Sequence, residues 1–197
     1  MRGILIWTIV CAALVVPIVA ATQSPLLAWR EPMYVFAGFA GIFAMALMLL
    51  QPLLAGGYLP GMPASRGRRL HRWVGLLLVV SVVLHIAGLW VTSPPDVIDV
   101  LLFRSPTPFG IWGALAMWAV IASAALAIWR VRGRPQLRLW RKLHSAAAIV
   151  AVVGTIVHAL LIEGTMEIVS KVMLAIFLGV ATAKVLLDLK IWKPKRA

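Results

Sequence analysis

The chain contains one cysteine, Cys11, and it stands inside an apolar run. An intrachain disulfide is excluded, and so is the CxxCH pattern that attaches haem covalently. Acidic residues are also scarce: six Asp and Glu stand against nineteen Lys and Arg, for a formal charge of +13. Neither a GxGxxG nor a P-loop pattern occurs, so the chain encodes no familiar soluble module for a nicotinamide or a flavin.

What is abundant is apolar. Hydrophobic residues make up 62% of the chain and the mean hydropathy is +0.99, against roughly 45–50% apolar in an ordinary globular chain. They gather into runs that reach the roughly 20 residues needed to cross a bilayer. The expected fold is all-α, a bundle of six transmembrane spans at about 4–22, 33–55, 70–92, 109–130, 143–162 and 168–189. Turn and breaker residues separate them: Gln51-Pro52, Gly56-Gly57 to Pro63, Pro94-Pro95, Pro106 to Pro108, and Gly133 to Pro135. The expected organisation is a first span with its outer loop (1–32), a transmembrane domain (33–190) and a basic cytoplasmic tail (191–197).

In a soluble protein such a charge would suggest nucleic acid. Here the cations are confined to particular loops, so topology accounts for them and no nucleic-acid partner is expected. Arg2, Arg66, Arg68, Arg69, Arg72, Arg130, Arg132, Arg134, Arg138, Arg141, Lys142, Lys190, Lys193, Lys195 and Arg196 fall on one side of a six-span arrangement. The other side holds Arg30, Arg104 and Lys171 beside Glu31, Asp96, Asp99, Glu163 and Glu167. Excess Lys and Arg mark the cytoplasmic side, which puts both termini there, in a bacterial inner membrane. The first span has a second reading as a cleaved leader, because Val19-Ala20-Ala21 follows a basic start and an apolar core.

Four histidines are present, and all fall into two pairs of one spacing: His71 with His85, and His144 with His158. Fourteen residues are nearly four helical turns, so each pair shares a helix face, about 21 Å apart along the axis. Packed side by side, the third and fifth spans would form two opposed couples, one near each membrane surface. Two imidazoles complete the axial positions of a haem iron, so the pattern fits two b-type haems stacked between those spans. Interfacial polar caps or hydrogen bonds across helices remain a second explanation. A zinc site is a third, although two histidines per level make a poor tetrahedral set.

One turn inward from each histidine stand Gly75, Ser81, Ala148 and Gly154, small enough for a flat macrocycle to approach. Arg69, Arg72 and Lys142, with Arg68 and Arg141, could hold haem propionates, though the charge bias alone would place them there. Arg68-Arg69-Leu70-His71 and Arg141-Lys142-Leu143-His144 open the third and fifth spans alike. An internal two-fold relating spans 3–4 to spans 5–6 is expected from that repeat.

Over residues 33–190 these features resemble the ferric reductase-like transmembrane domain superfamily. It includes the membrane cores of NADPH oxidases and ferric reductases, and the haem-binding membrane subunit of a bacterial periplasmic methionine sulfoxide reductase system. The resemblance implies that His71 and His144 ligate the inner haem iron and His85 and His158 the outer. It also implies electron transfer from a cytoplasmic or quinol donor to ferric iron or a periplasmic partner reductase. The fused flavin and nicotinamide domain of the eukaryotic relatives is missing, so the stand-alone bacterial form is the nearer likeness. Flavin or quinone would come with the donor. Whether the chain is itself a reductase or an electron-transfer subunit stays open. A quinol-linked cytochrome b anchor for a dehydrogenase or hydrogenase is an alternative; a transporter or structural partner without haem is another.

Overall fold

The computed structural model describes residues 1–133 and 135–190. Arg134, Lys193, Lys195, Arg196 and the whole expected tail of 191–197 lie outside the described residues. Seven α-helices occur in them: α1 (Arg2–Thr22), α2 (Pro32–Gly56), α3 (Ala64–Thr92), α4 (Pro94–Leu101), α5 (Pro108–Arg132), α6 (Leu137–Leu161) and α7 (Ile168–Leu189). Six of these, all but α4, are long and apolar enough to span a membrane. The fold is the expected all-α six-span bundle, with the third and fifth spans as α3 and α6.

Local chemistry sets the helix ends. Pro32, Pro94 and Pro108 open α2, α4 and α5, where a missing N–H removes no helical bond. Gly57 closes α2 in the left-handed region at φ 68°, a conformation that favours glycine. Glu167 caps α7 by accepting from the amides of Val169 and Ser170, both at 2.6 Å. Two expected breaks are corrected. Gln51-Pro52 lies inside α2, which continues through a buried Pro52 to Gly56; the ring deletes one backbone bond, and the surrounding bundle holds the helix across the gap. Pro94-Pro95 opens the short helix α4 rather than a plain turn, because proline suits a first helical turn.

The bundle is two helix hairpins against a common post. α3 lies along α2, α6 lies along α5, and α7 packs on α2 and α6. Leu174 and Leu178 of α7 are fully buried, and Ala44 to Leu49 of α2 form much of the core around them. α1 rests on α2 and α7 at the rim. Large apolar side chains such as Leu76, Val83, Val150 and Val180 remain exposed, as a surface facing lipid tails requires. Each histidine helix thus lies along the helix before it, α3 on α2 and α6 on α5.

Candidate functional site

The helices α3 and α6 make no extended backbone contact with each other; what they bring together is histidine. The rings of His71 and His144 have centres 6.3 Å apart and planes 72° from parallel. Those of His85 and His158 are 6.5 Å apart at 78°. Two levels therefore exist, as the fourteen-residue spacing predicts. Since like-numbered members meet at both levels, α3 and α6 run in the same direction.

The rings of His85 and His158 are held from behind by backbone. His85 Nδ1 lies 2.7 Å from the Ala37 carbonyl on α2, and His158 Nδ1 lies 2.9 Å from the Phe109 carbonyl on α5. A carbonyl only accepts, so Nδ1 carries the proton in His85 and His158 and Nε2 keeps its lone pair. That is the tautomer a metal-binding imidazole uses. One turn beyond each carbonyl stands a glycine. A Cβ at Gly41 would lie 3.0 Å from His85 Nδ1, and one at Gly113 would lie 2.8 Å from His158 Nδ1. Any other residue there would push the ring.

The rings of His71 and His144 are held differently. His71 Nδ1 is 3.3 Å from the Gln51 carbonyl, beyond the usual range for a strong bond. His144 Nδ1 is buried and makes no hydrogen bond of good geometry among the described residues, with the Ser123 backbone on α5 as its candidate acceptor; Ser123 Oγ is likewise buried without a partner there. Instead, His144 stacks on Trp140, ring centres 5.2 Å apart and planes 11° from parallel. Trp140 is anchored by its Nε1, which donates to the Leu126 carbonyl at 2.8 Å.

Other expected site residues fall in several places. Gly75 faces the Gln51 amide, with room for a Cβ at 3.7 Å. Gly154 is set against α5, where a Cβ would lie 2.9 Å from the Trp112 carbonyl; its smallness serves helix approach. Ser81 is buried, and its hydroxyl donates to the Leu77 carbonyl at 2.7 Å. Arg69 and Arg72 are exposed beside His71, and Lys142 is half-buried beside His144. A cleft of about 910 Å³ runs along α1 and Pro60, and its lining includes no histidine.

Sequence reading misses Gly41, Gly113, Gln51, Ser123 and Trp140. A signal for four of them exists: Ala37 to Gln51 and Phe109 to Ser123 repeat the fourteen-residue step of the histidines, and each glycine follows its carbonyl by one turn.

The donor set is two couples of two nitrogens. No group of three or more His, Cys, Asp or Glu able to hold one metal ion occurs among the described residues. Such couples suit an ion whose other ligands come with it. Taking about 2.0 Å for a metal–imidazole bond and about 1.2 Å from ring centre to ring nitrogen, two imidazoles across one ion have centres about 6.4 Å apart. Both observed separations fit.

Against known proteins, the family model described as ferric reductase like transmembrane component matches residues 37–155. The match covers well over half of the chain and takes in His71, His85 and His144. No curated protein and no solved structure matches.

Proposed function

Since the chain belongs to the ferric reductase like transmembrane component family, we propose that it carries electrons across the membrane through two bis-histidine b-type haems. Membrane electron transfer is the general activity that this membership supports. The observation that carries the specific reading is the pair of ring separations, 6.3 and 6.5 Å at two levels.

His71 and His144 would hold the inner haem, His85 and His158 the outer. Bound haem would supply one-electron chemistry; the protein supplies axial nitrogens, position and burial. The Ala37 and Phe109 carbonyls keep the Nδ1 protons of the outer rings and leave Nε2 available. Arg69, Arg72 and Lys142 are the cations nearest in sequence to the inner couple and suit propionate carboxylates. The Arg and Lys beside His71 and His144 support a cytoplasmic position for that couple, in a bacterial inner membrane. Electrons would enter there from a reductase or a quinol, with any flavin or quinone belonging to that donor. They would leave at the outer couple to ferric iron or a periplasmic partner.

Haem content and the reduced-minus-oxidised spectrum of the detergent-purified protein test this reading. Two haems per chain with low-spin b-type bands are expected. A chain without haem, expressed with adequate haem supply, overturns it.

A further inference from the structure

Both histidine couples are crossed rather than flat. The ring planes stand 72° apart at His71 and His144, and 78° apart at His85 and His158. Three of the four rings have a backbone carbonyl at Nδ1, from Gln51, Ala37 and Phe109. His144 is the exception. Its Nδ1 makes no hydrogen bond of good geometry among the described residues. What lies flat against it is Trp140, with ring centres 5.2 Å apart and planes 11° from parallel. The two residues stand four apart on α6, so they are neighbours on one helix face. Trp140 is itself held from α5. Its Nε1 donates to the Leu126 carbonyl at 2.8 Å, and the Arg130 guanidinium carbon lies 5.9 Å from the centre of its ring.

An axial imidazole turns easily about its bond to iron, so its plane is fixed by what touches the ring. We propose that Trp140 is the positioning residue of His144: its stacked indole, anchored on α5, holds the imidazole plane across that of His71 in the haem-loaded protein. This rests on the two-haem reading. Orientation of the axial ligands reaches the electrons of the iron. Two imidazoles in one plane act on the same member of the pair of iron d orbitals that point out of the haem plane, and the pair splits widely. Crossed imidazoles act on one member each, and the pair stays close in energy. Low-spin ferric iron reports the difference in electron paramagnetic resonance. A close pair gives a single steep feature at low field, and a split pair gives a three-line rhombic spectrum.

The test is low-temperature electron paramagnetic resonance of the oxidised, purified holo-protein, with signals normalised to the haem retained. Wild type should give steep low-field features from both haems, and the one lost in His144→Ala belongs to the His71–His144 couple. Trp140→Leu removes the stack. That feature should disappear into a rhombic set or a broad spread, while the feature of the His85–His158 couple stays in place. Trp140→Phe keeps a flat ring but loses the bond to Leu126, so the feature should survive, broadened. Loosened packing alone would lower the amplitude by emptying the site and would leave the field position of the retained haem unchanged. Where Trp140→Leu retains too little of this haem to read, Trp140→Phe carries the test, and broadening confined to the one feature supports the role. A feature unmoved in every variant that keeps its haem, or both features moving together, overturns the role of Trp140 while leaving the two haems intact. Rhombic spectra from both haems in the wild type overturn the crossed planes as well. No haem in the wild-type protein overturns the functional reading itself.

Discussion

The outer and inner histidine couples are built on the same step of helix geometry but are fixed by different parts of the chain. Outer rings are pinned by main-chain carbonyls at 2.7 and 2.9 Å and boxed in by Gly41 and Gly113. Inner rings rely on a long contact at 3.3 Å, on the Gln51 amide, and on stacking against Trp140. A carbonyl cannot be mutated away, so the outer site is conformationally robust but fragile to added bulk. The inner site is adjustable, because side chains set it. The two levels should therefore answer differently to added bulk and to side-chain substitution.

Removing a ligand should have the largest effect. His158→Ala should abolish the outer haem and leave the inner one, halving haem per chain measured by pyridine haemochrome, with insertion unchanged. Two haems retained would mean that the couples are not the ligand pairs.

Added bulk separates the levels next. Gly113→Ala places a methyl 2.8 Å from His158 Nδ1, and overpacking of this kind costs about 1–3 kcal/mol. The ring must tilt off the Phe109 carbonyl, so outer haem occupancy should fall. Gly75→Ala meets only ordinary contact at 3.7 Å, and both haems should survive. The reverse pattern would break the distinction between a boxed outer site and an open inner one.

These glycines also mark where sequence reading stops. Six spans and the pairing of histidines are legible because hydrophobic run length and a fourteen-residue step are one-dimensional signals of bilayer width and helical period. Which helix backs which histidine is not, since that depends on packing. Gly154 reads like a cofactor-facing residue but serves the approach of α5, whereas Gly113, on a helix without histidine, guards His158. Pro52 reads as a break but is buried in a continuous α2. This continuity carries Gln51 within reach of His71.

A smaller effect probes the side-chain control of the inner couple. Trp140 stacks on His144, and an aromatic pair of this kind is worth about 0.5–1.5 kcal/mol. Trp140→Leu should weaken inner haem retention, by at most about tenfold, and leave the outer haem alone. Trp140→Phe keeps a ring but loses the bond to the Leu126 carbonyl, so it should fall between. Stepwise haem loss during dilution in detergent would show the order.

The smallest expected effect lies at the C-terminal end of α7. Tyr58 follows α2 and donates to Asp188 at 2.5 Å, while Lys184 pairs with Asp188 at 2.8 Å and sits 4.8 Å over the Tyr58 ring. Partial burial, then the hydrogen bond and charge of Asp188, push the Tyr58 phenol up to about 12 from its usual 10.0. The folded state thus favours the protonated phenol. Its contribution is fully present below pH 10 and is lost as pH rises towards about 12. Tyr58→Phe should change stability at neutral pH by about 1 kcal/mol or less and flatten the alkaline fall in Tm relative to wild type; an identical alkaline limb would remove the tyrosine from the account. Neither haem spectrum should move in this variant at neutral pH, because Tyr58 touches no histidine. A shift confined to the inner haem would instead mean that this clasp acts through the end of α2 on Gln51, and that the adjustable couple extends to the membrane surface.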